Sequence, residues 1–356
     1  MGKLRLIVFG LISAVCLVGG MATSVSSSEY TIKIGLLGSP DDEDYDGSLV
    51  FKDYVESRTN GRVAVKIYMS GQFCGNEREC IEGLQSGILE VHMTTIGGLG
   101  NLFGPGQVLD LPYIFRDDQV AECVFDGPIV KQFRTAMLNA DLNMRLMTVS
   151  NTGGWRNFAT VDKQVRVPAD LRGQKIRTTS AAIQQELVRQ LGANPTPIAW
   201  SELYTAMATG VVEGTKNGVQ DIIGAKLHEN IKYLTLDGHG YMGALWWFSE
   251  PAWQQLPEDI RRVVFEGFNH LKTVTRALPV RRQIDAYEQF KAAGGTVYVP
   301  TPEEKAKFRQ ATAGMRTWFT ENYGDTWMKK LDSAVQACEA EIDSEFMEIN
   351  KPIDGR

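Results

Sequence analysis

A chain of 356 residues with 43% hydrophobic content can bury more than one core, so two packed domains are expected. The formal charge of −6 argues against nucleic acid or an anionic membrane surface as partner, but leaves room for a local cationic pocket.

The first segment belongs to neither domain. Lys3 and Arg5 precede an apolar run from Leu6 to Leu17, and small residues follow from Gly19 to Ser28. That is the order of a secretory signal, and the run is too short for a comfortable membrane span. Residues 1–28 are therefore predicted to be a signal peptide, cut between Ala22 and Ser28, with a mature start near Glu29. An uncleaved anchor is the alternative; Ser13-Ala14-Val15 before Cys16 is a poor lipidation signal. Cleavage removes two cations and no anions, making the mature chain more acidic still.

Thr31 to Leu37 suits a buried strand, and Arg62 to Met69 alternates Val63, Val65, Ile67 and Met69 with a period of two. Between them, Leu49, Phe51, Tyr54 and Val55 recur at helical spacing up to the turn at Thr59-Asn60-Gly61. Ile81, Leu84 and Ile88 mark a second helix, and Glu90 to Thr95 a strand. The alternation restarts after Ser150. A strand is predicted at Lys175–Thr179, a helix at Ala181–Leu191, an extended piece at Pro197–Trp200 and a helix at Glu202–Thr209. One long helix should run from Pro257 to about Ala293, kinked at Pro279 and stopped by Gly294-Gly295. A strand at Thr296–Pro300 and two helices complete the chain. Strands alternating with helices give an α/β class, in two lobes that the chain crosses between more than once.

Four cysteines lie beyond the leader, an even number that permits disulfides in an exported protein. Cys74 and Cys80 enclose a short loop and are the favoured pair, which leaves Cys123 with Cys338. Neither these cysteines nor His92, His228, His239 and His270 have metal-site spacing. The G-x-S-x-G, P-loop and H-E-x-x-H motifs are absent, which moves the reading from enzyme toward binding protein.

From Asn151 the sequence becomes specific. It reads Asn151-Thr152-Gly153-Gly154-Trp155-Arg156-Asn157, then Gly173-Gln174-Lys175-Ile176-Arg177, then Trp200-Ser201-Glu202-Leu203, then Val212-Glu213-Gly214-Thr215-Lys216-Asn217-Gly218. Asp110-Leu111-Pro112-Tyr113 and Leu256-Pro257-Glu258-Asp259 fit the same order. This series resembles the substrate-binding proteins of TRAP (tripartite ATP-independent periplasmic) transporters, from about Tyr30 to the C-terminal helices. The resemblance implies a two-lobed periplasmic binding protein fold, with mixed sheets flanked by helices and a long helix spanning both lobes. The first lobe is expected at 29–152 with about 241–280 returning to it, and the second at 153–240 with about 281–356 returning.

It also implies the function: capture of a small organic acid in the interlobe cleft and delivery to membrane components of a TRAP transporter. No cofactor or metal is called for, the location is periplasmic, and a monomer is the default. Arg177, ending the G-x-K-[IM]-R strand, is expected to hold the ligand carboxylate; its planar donor fork matches that group. Arg156 is a second candidate for the anion, and Asn217 for the ligand or for holding Arg177. Lys216 is read as an exposed lysine, with added positive potential near the anion as the alternative. Trp155, Trp200, Trp246, Trp247 and Phe248 form an aromatic set, from which Trp246 and Trp155 are expected in the cleft, with Thr95 and Tyr45 beside them. Adjacent Trp246 and Trp247 must point to opposite faces of a strand.

The first loop, Asp41 to Asp46, departs from the family in being so acidic. A solvated rim is the favoured reading; a carboxylate that receives an ammonium or hydroxyl group, and a bound cation, are the alternatives. Two rival functions stay open: an exported lyase or hydrolase with Glu213 or one of these carboxylates as base, and a ligand sensor for a membrane receptor.

Overall fold

A computed structural model describes residues 28–100 and 102–351; the predicted signal peptide lies outside the described residues apart from Ser28. The described residues form nine strands: β1 Tyr30–Gly35, β2 Val63–Tyr68, β3 Val91–Thr95, β4 Met144–Thr160, β5 Lys175–Thr178, β6 Asn194–Pro197, β7 Gly214–Asn217, β8 Tyr233–Ser249 and β9 Thr296–Tyr298. Their order is β2-β1-β3-β8-β4-β7-β5-β6, with β9 on the early part of β8.

β4 and β8, 17 residues each, give the molecule its two lobes. The first half of β4, Met144 to Asn151, pairs with the second half of β8, where β3, β1 and β2 continue the sheet. The second half of β4, Trp155 to Thr160, pairs with the first half of β8, and there β7, β5 and β6 extend the other lobe. The register between them breaks from Asn151 to Trp155, where Gly153 and Gly154 have φ of 82° and 83°. A left-handed backbone at two successive residues is readily adopted only by glycine.

Both strands are buried on both faces, so neither shows the clean alternation of a half-exposed strand. Trp246 faces a core built by Ile32, Val63, Phe51, Phe268 and Leu271, and Trp247 faces the opposite core. Helix Glu43–Arg58 packs on the long helix Glu258–Ala292, with Phe51 and Phe268 rings 4.7 Å apart. The long helix has 35 residues and continues through Pro279, so it reaches roughly 50 Å, enough to pass both lobes. It contacts β4 at the hinge and, in the second lobe, the helix Val219–Gly224.

Most of the predicted elements are present within a few residues. Two corrections apply. The chain ends in three helices rather than two, Pro302–Ala311, Met315–Tyr323 and Thr326–Ile349, because Gly314 and Gly324 interrupt the periodic pattern. The extended piece predicted at Pro197–Trp200 stops one residue short: Ile198 N still donates to Thr178 O and Ala199 is extended, but Trp200 opens a short 3-10 helix, Trp200–Glu202. Cys74 is bonded to Cys80, and Cys123 to Cys338. The second bridge ties helix Asp118–Asp126 to the C-terminal helix. Among the described residues, no helix is long and apolar enough to cross a membrane.

Candidate functional site

Where the two halves of the sheet meet, a cavity of about 330 Å³ opens between the lobes. Leu37, Gly38, Asp42 and Asp44 line it from the first lobe, and Arg177, Ile198, Trp200, Asn217 and Asp221 from the second. Thr152 and Arg156 on β4 and Met242 on β8 also border it.

Arg177 sits in β5 with 5% of its surface exposed. Its Nε donates to Ile198 O at 2.9 Å, and its guanidinium lies 5.8 Å from the centroid of Trp200. Both contacts brace the side chain, and Ile198 and Trp200 border the same cavity as Arg177. Burial, then the neighbouring Arg156, pushes its pKa down to about 10, against the pull of Glu77 and Asp221. Even so it stays charged at neutral pH. A desolvated cation beside a second cation is a site that gains by receiving an anion.

Arg156 is 4% exposed and partly committed: its Nη1 donates to Lys216 O at 3.0 Å, and Nε stands 3.9 Å from Asp110 Oδ1. Nε has no hydrogen-bond partner among the described residues. Asn217 Nδ2 donates to Asp221 Oδ2 at 3.1 Å, and its Oδ1 accepts from Thr215 at 2.8 Å. Asn217 therefore positions Asp221 rather than Arg177.

Four carboxyl groups face the same cavity: Asp42, Asp44, Glu77 and Asp221. Glu77 lies so close to Gly98 that a Cβ there would fall 1.7 Å from its Oε1; a side chain at position 98 would evict it. Burial raises Glu77 to about 7, opposed by Arg177 and then Arg156. Burial, then the charge on Asp42, raises Asp221 to about 7, and burial raises Asp42 itself to about 6. Asp44 and the adjacent Glu43 are pushed well above the carboxylate range, again chiefly by burial.

The family model described as bacterial extracellular solute-binding protein, family 7 (DctP), matches residues 35–320. The chain belongs to this family. A solute-binding protein of Verminephrobacter eiseniae is 30% identical over 80% of this chain and 83% of its own length. The C4-dicarboxylate-binding periplasmic protein DctP of Rhodobacter capsulatus is 28% identical over 95% of this chain and 99% of its own. The TRAP periplasmic solute-binding protein of Sulfurospirillum deleyianum, solved with bound succinate, superposes with a TM-score of 0.80. It is 28% identical, and the match covers 86% of this chain and 99% of the other. Family 7 comprises binding proteins that serve transporters, so the reading as an exported lyase or hydrolase is withdrawn.

Within this family 7 protein, Arg177, Arg156, Asn217 and Thr95 border the cleft, with the Thr95 hydroxyl accepting from Gly98 N at 3.2 Å. Three other candidates do not. Trp246 is fully buried in the first-lobe core, its Nε1 donating to Ser150 Oγ at 3.0 Å, and Met242 on the same strand borders the cavity instead. Trp155 turns away to lie edge-on to Tyr241, with Nε1 donating to Asp118. Tyr45 packs against the first-lobe core, because the helix that begins at Glu43 turns it about 100° away from the cleft-lining Asp44.

Lys216 is not exposed: it is 2% accessible in β7, 3.3 Å from Gln184 Oε1, and burial followed by Arg156 lowers it to about 7. Nor is the acidic loop a solvated rim. Glu43 accepts from Gly153 N at 2.6 Å and from Gln220 at 2.9 Å, Asp44 accepts from Thr152 at 2.9 Å, and Asp46 pairs with Arg282. These carboxylates are drawn in because the helix N-terminus abuts the hinge, where backbone and side-chain donors need acceptors. No group of three or more His, Cys, Asp or Glu among the described residues is placed to hold a metal ion. Glu213 lies on the far side of β5, accepting from Lys175 N.

Glu77, Asp221 and Met242 escaped the sequence reading. Glu77 lies inside the Cys74–Cys80 loop, and that enclosure was the available signal. Trp200 was noticed as an aromatic, but its contact with Arg177 was not foreseen.

Proposed function

We propose that this chain is an exported protein whose leader is cleaved, and that it captures a small organic acid between its lobes for delivery to the membrane components of a TRAP transporter. The observation that carries the reading is Arg177: buried, braced by Ile198 O and Trp200, and facing an interlobe cavity. Relatives solved with succinate and with orotic acid make a carboxylate the natural group for that guanidinium. Closure of the lobes excludes water, and the charge-assisted pair strengthens as the local dielectric falls. Arg156 supports the same anion through its charge.

Thermal-shift screening of the ligand-stripped protein against small organic acids and their neutral analogues tests this. A ligand at a hundred times its dissociation constant should add about 2.7 kcal/mol of stability. Arg177→Ala should weaken binding by roughly thirty-fold to several thousand-fold, the usual cost of about 2–5 kcal/mol for breaking a desolvated charge pair. Affinity kept within a few-fold, with the fold intact, refutes the clamp.

A further inference from the structure

Charges of both signs line the cleft, and three of its carboxyl groups, Asp42 and Asp44 from the first lobe and Asp221 from the second, are gathered at the hinge. Asp44 bonds Thr152, and a Cβ at the next residue, Gly153, would fall 2.4 Å from Asp221 Oδ1. Asp42, Asp44 and Asp221 thus form a carboxyl group cluster contributed by both lobes. Most of the donors around it are already spent. Asp42 Oδ2 accepts from Ser39 N at 2.7 Å, Asp221 Oδ2 from Asn217 at 3.1 Å, and Asp44 Oδ2 from Thr152 at 2.9 Å.

One acceptor is left over. Asp44, 3% exposed and lining the cavity, has an Oδ1 with no hydrogen-bond partner among the described residues. A buried carboxyl oxygen without a partner is costly, at about 1–3 kcal/mol. Burial holds this group well above the carboxylate range in the ligand-free protein, and a cationic donor in the cavity would both supply the partner and let the group ionise.

The charge balance says what kind of donor. Four carboxyl groups line the cavity against three guanidiniums, those of Arg78, Arg156 and Arg177, so carboxyl groups are in excess and a purely anionic ligand widens the difference. A hydroxyl satisfies an oxygen but brings no charge. A protonated amine brings three donors and the missing charge together. Resting on the reading of Arg177 as the anion clamp, we propose that the ligand is an amino acid-like zwitterion, its carboxylate on Arg177 and its ammonium group among Asp42, Asp44 and Asp221.

Isothermal titration of the ligand-stripped mature protein tests this with acids matched in skeleton: alanine, β-alanine and γ-aminobutyrate against lactate, 3-hydroxypropionate and γ-hydroxybutyrate, and against propionate and butyrate. The bare amines and a set of dicarboxylic and sugar acids complete the panel. At least one aminated acid should bind ten-fold or more tighter than its hydroxylated and plain counterparts. Asp44→Asn, which keeps the acceptor for Thr152, should cost that ligand about thirty-fold, while changing any hydroxy acid only a few-fold. Asp221→Asn provides the same comparison should Asp44→Asn fold poorly. If hydroxylated, plain, dicarboxylic or sugar acids bind best, and Arg177→Ala abolishes that binding, the zwitterion is refuted and the anion clamp stands. If bare amines bind as well as the amino acids, or if no acid binds, both readings fall.

Discussion

The two glycines at the break in β4 allow a prediction that separates backbone strain from disturbance of the site. Both have left-handed φ, so replacing either with alanine costs about 1–2 kcal/mol in strain alone. A built Cβ at Gly154 meets nothing within 4 Å, and strain is then the whole effect. At Gly153 the same Cβ falls 2.4 Å from Asp221 Oδ1 and 2.6 Å from Oδ2, so the carboxylate must move. Moving it strands Asn217 Nδ2, a loss of about 1–3 kcal/mol that falls on the cleft. Gly154→Ala should therefore lower the melting temperature by a few degrees and leave the affinity for the best-binding acid within about three-fold. Gly153→Ala should lower it further and weaken binding by roughly five-fold to a hundred-fold or more. Calorimetric melting and titration of both variants check this. Indistinguishable variants, in stability and in affinity, would refute the argument that Asp221 couples the hinge to the cleft.

Stability of the ligand-free protein should depend on pH through Glu77, whose carboxyl is raised from 4.5 to about 7. Between those values the folded state keeps a proton that the unfolded chain gives up, so stability is highest below about 4.5 and falls as pH rises toward 7. Glu77→Gln should remove about 1–3 kcal/mol of that fall, measured by denaturant unfolding at a series of pH values. Trp246→Phe loses the bond to Ser150 and should cost about 1–2 kcal/mol in stability with affinity unchanged; a ten-fold loss of affinity would return Trp246 to the site. The Cys123–Cys338 bridge, spanning 215 residues, should contribute up to about 5 kcal/mol, and Cys74–Cys80, spanning 6, about 2 kcal/mol. Replacing the first pair by serine should show mainly in melting temperature. Replacing the second should show mainly in affinity, because that ring carries Asn76, Glu77 and Arg78 into the cleft.

What could be read from the sequence depended on how local the signal was. Arg177 lies in a short strand whose flanking residues are distinctive, and a buried arginine there has few structural uses. Trp246 failed for a physical reason: alternation assigns it a face, but in a strand buried on both sides neither face need be the cleft. Lys216 failed similarly, since a lysine in a polar four-residue stretch gives no hint that β4 and β5 will enclose it. The acidic loop misled because its carboxylates find their donors at Gly153, Thr152 and Gln220, over a hundred residues away. The strand Met144–Thr160 was not among the predicted elements, although its sequence held the most specific stretch of the chain.

The doubled passage of β4 and β8 through both lobes also bears on how the molecule comes apart. No peptide tether joins the lobes as a loose string would; each lobe contains part of the other's central strands. Among the described residues, β4, β8 and the long helix carry the chain from lobe to lobe, so a protease finds no loose connector there, and heat cannot melt one lobe without tearing the ladder of the other. The native molecule should therefore resist cleavage into halves and lose both lobes in a single calorimetric transition. Bending is left to the three residues between Asn151 and Trp155 and to the facing stretch of β8.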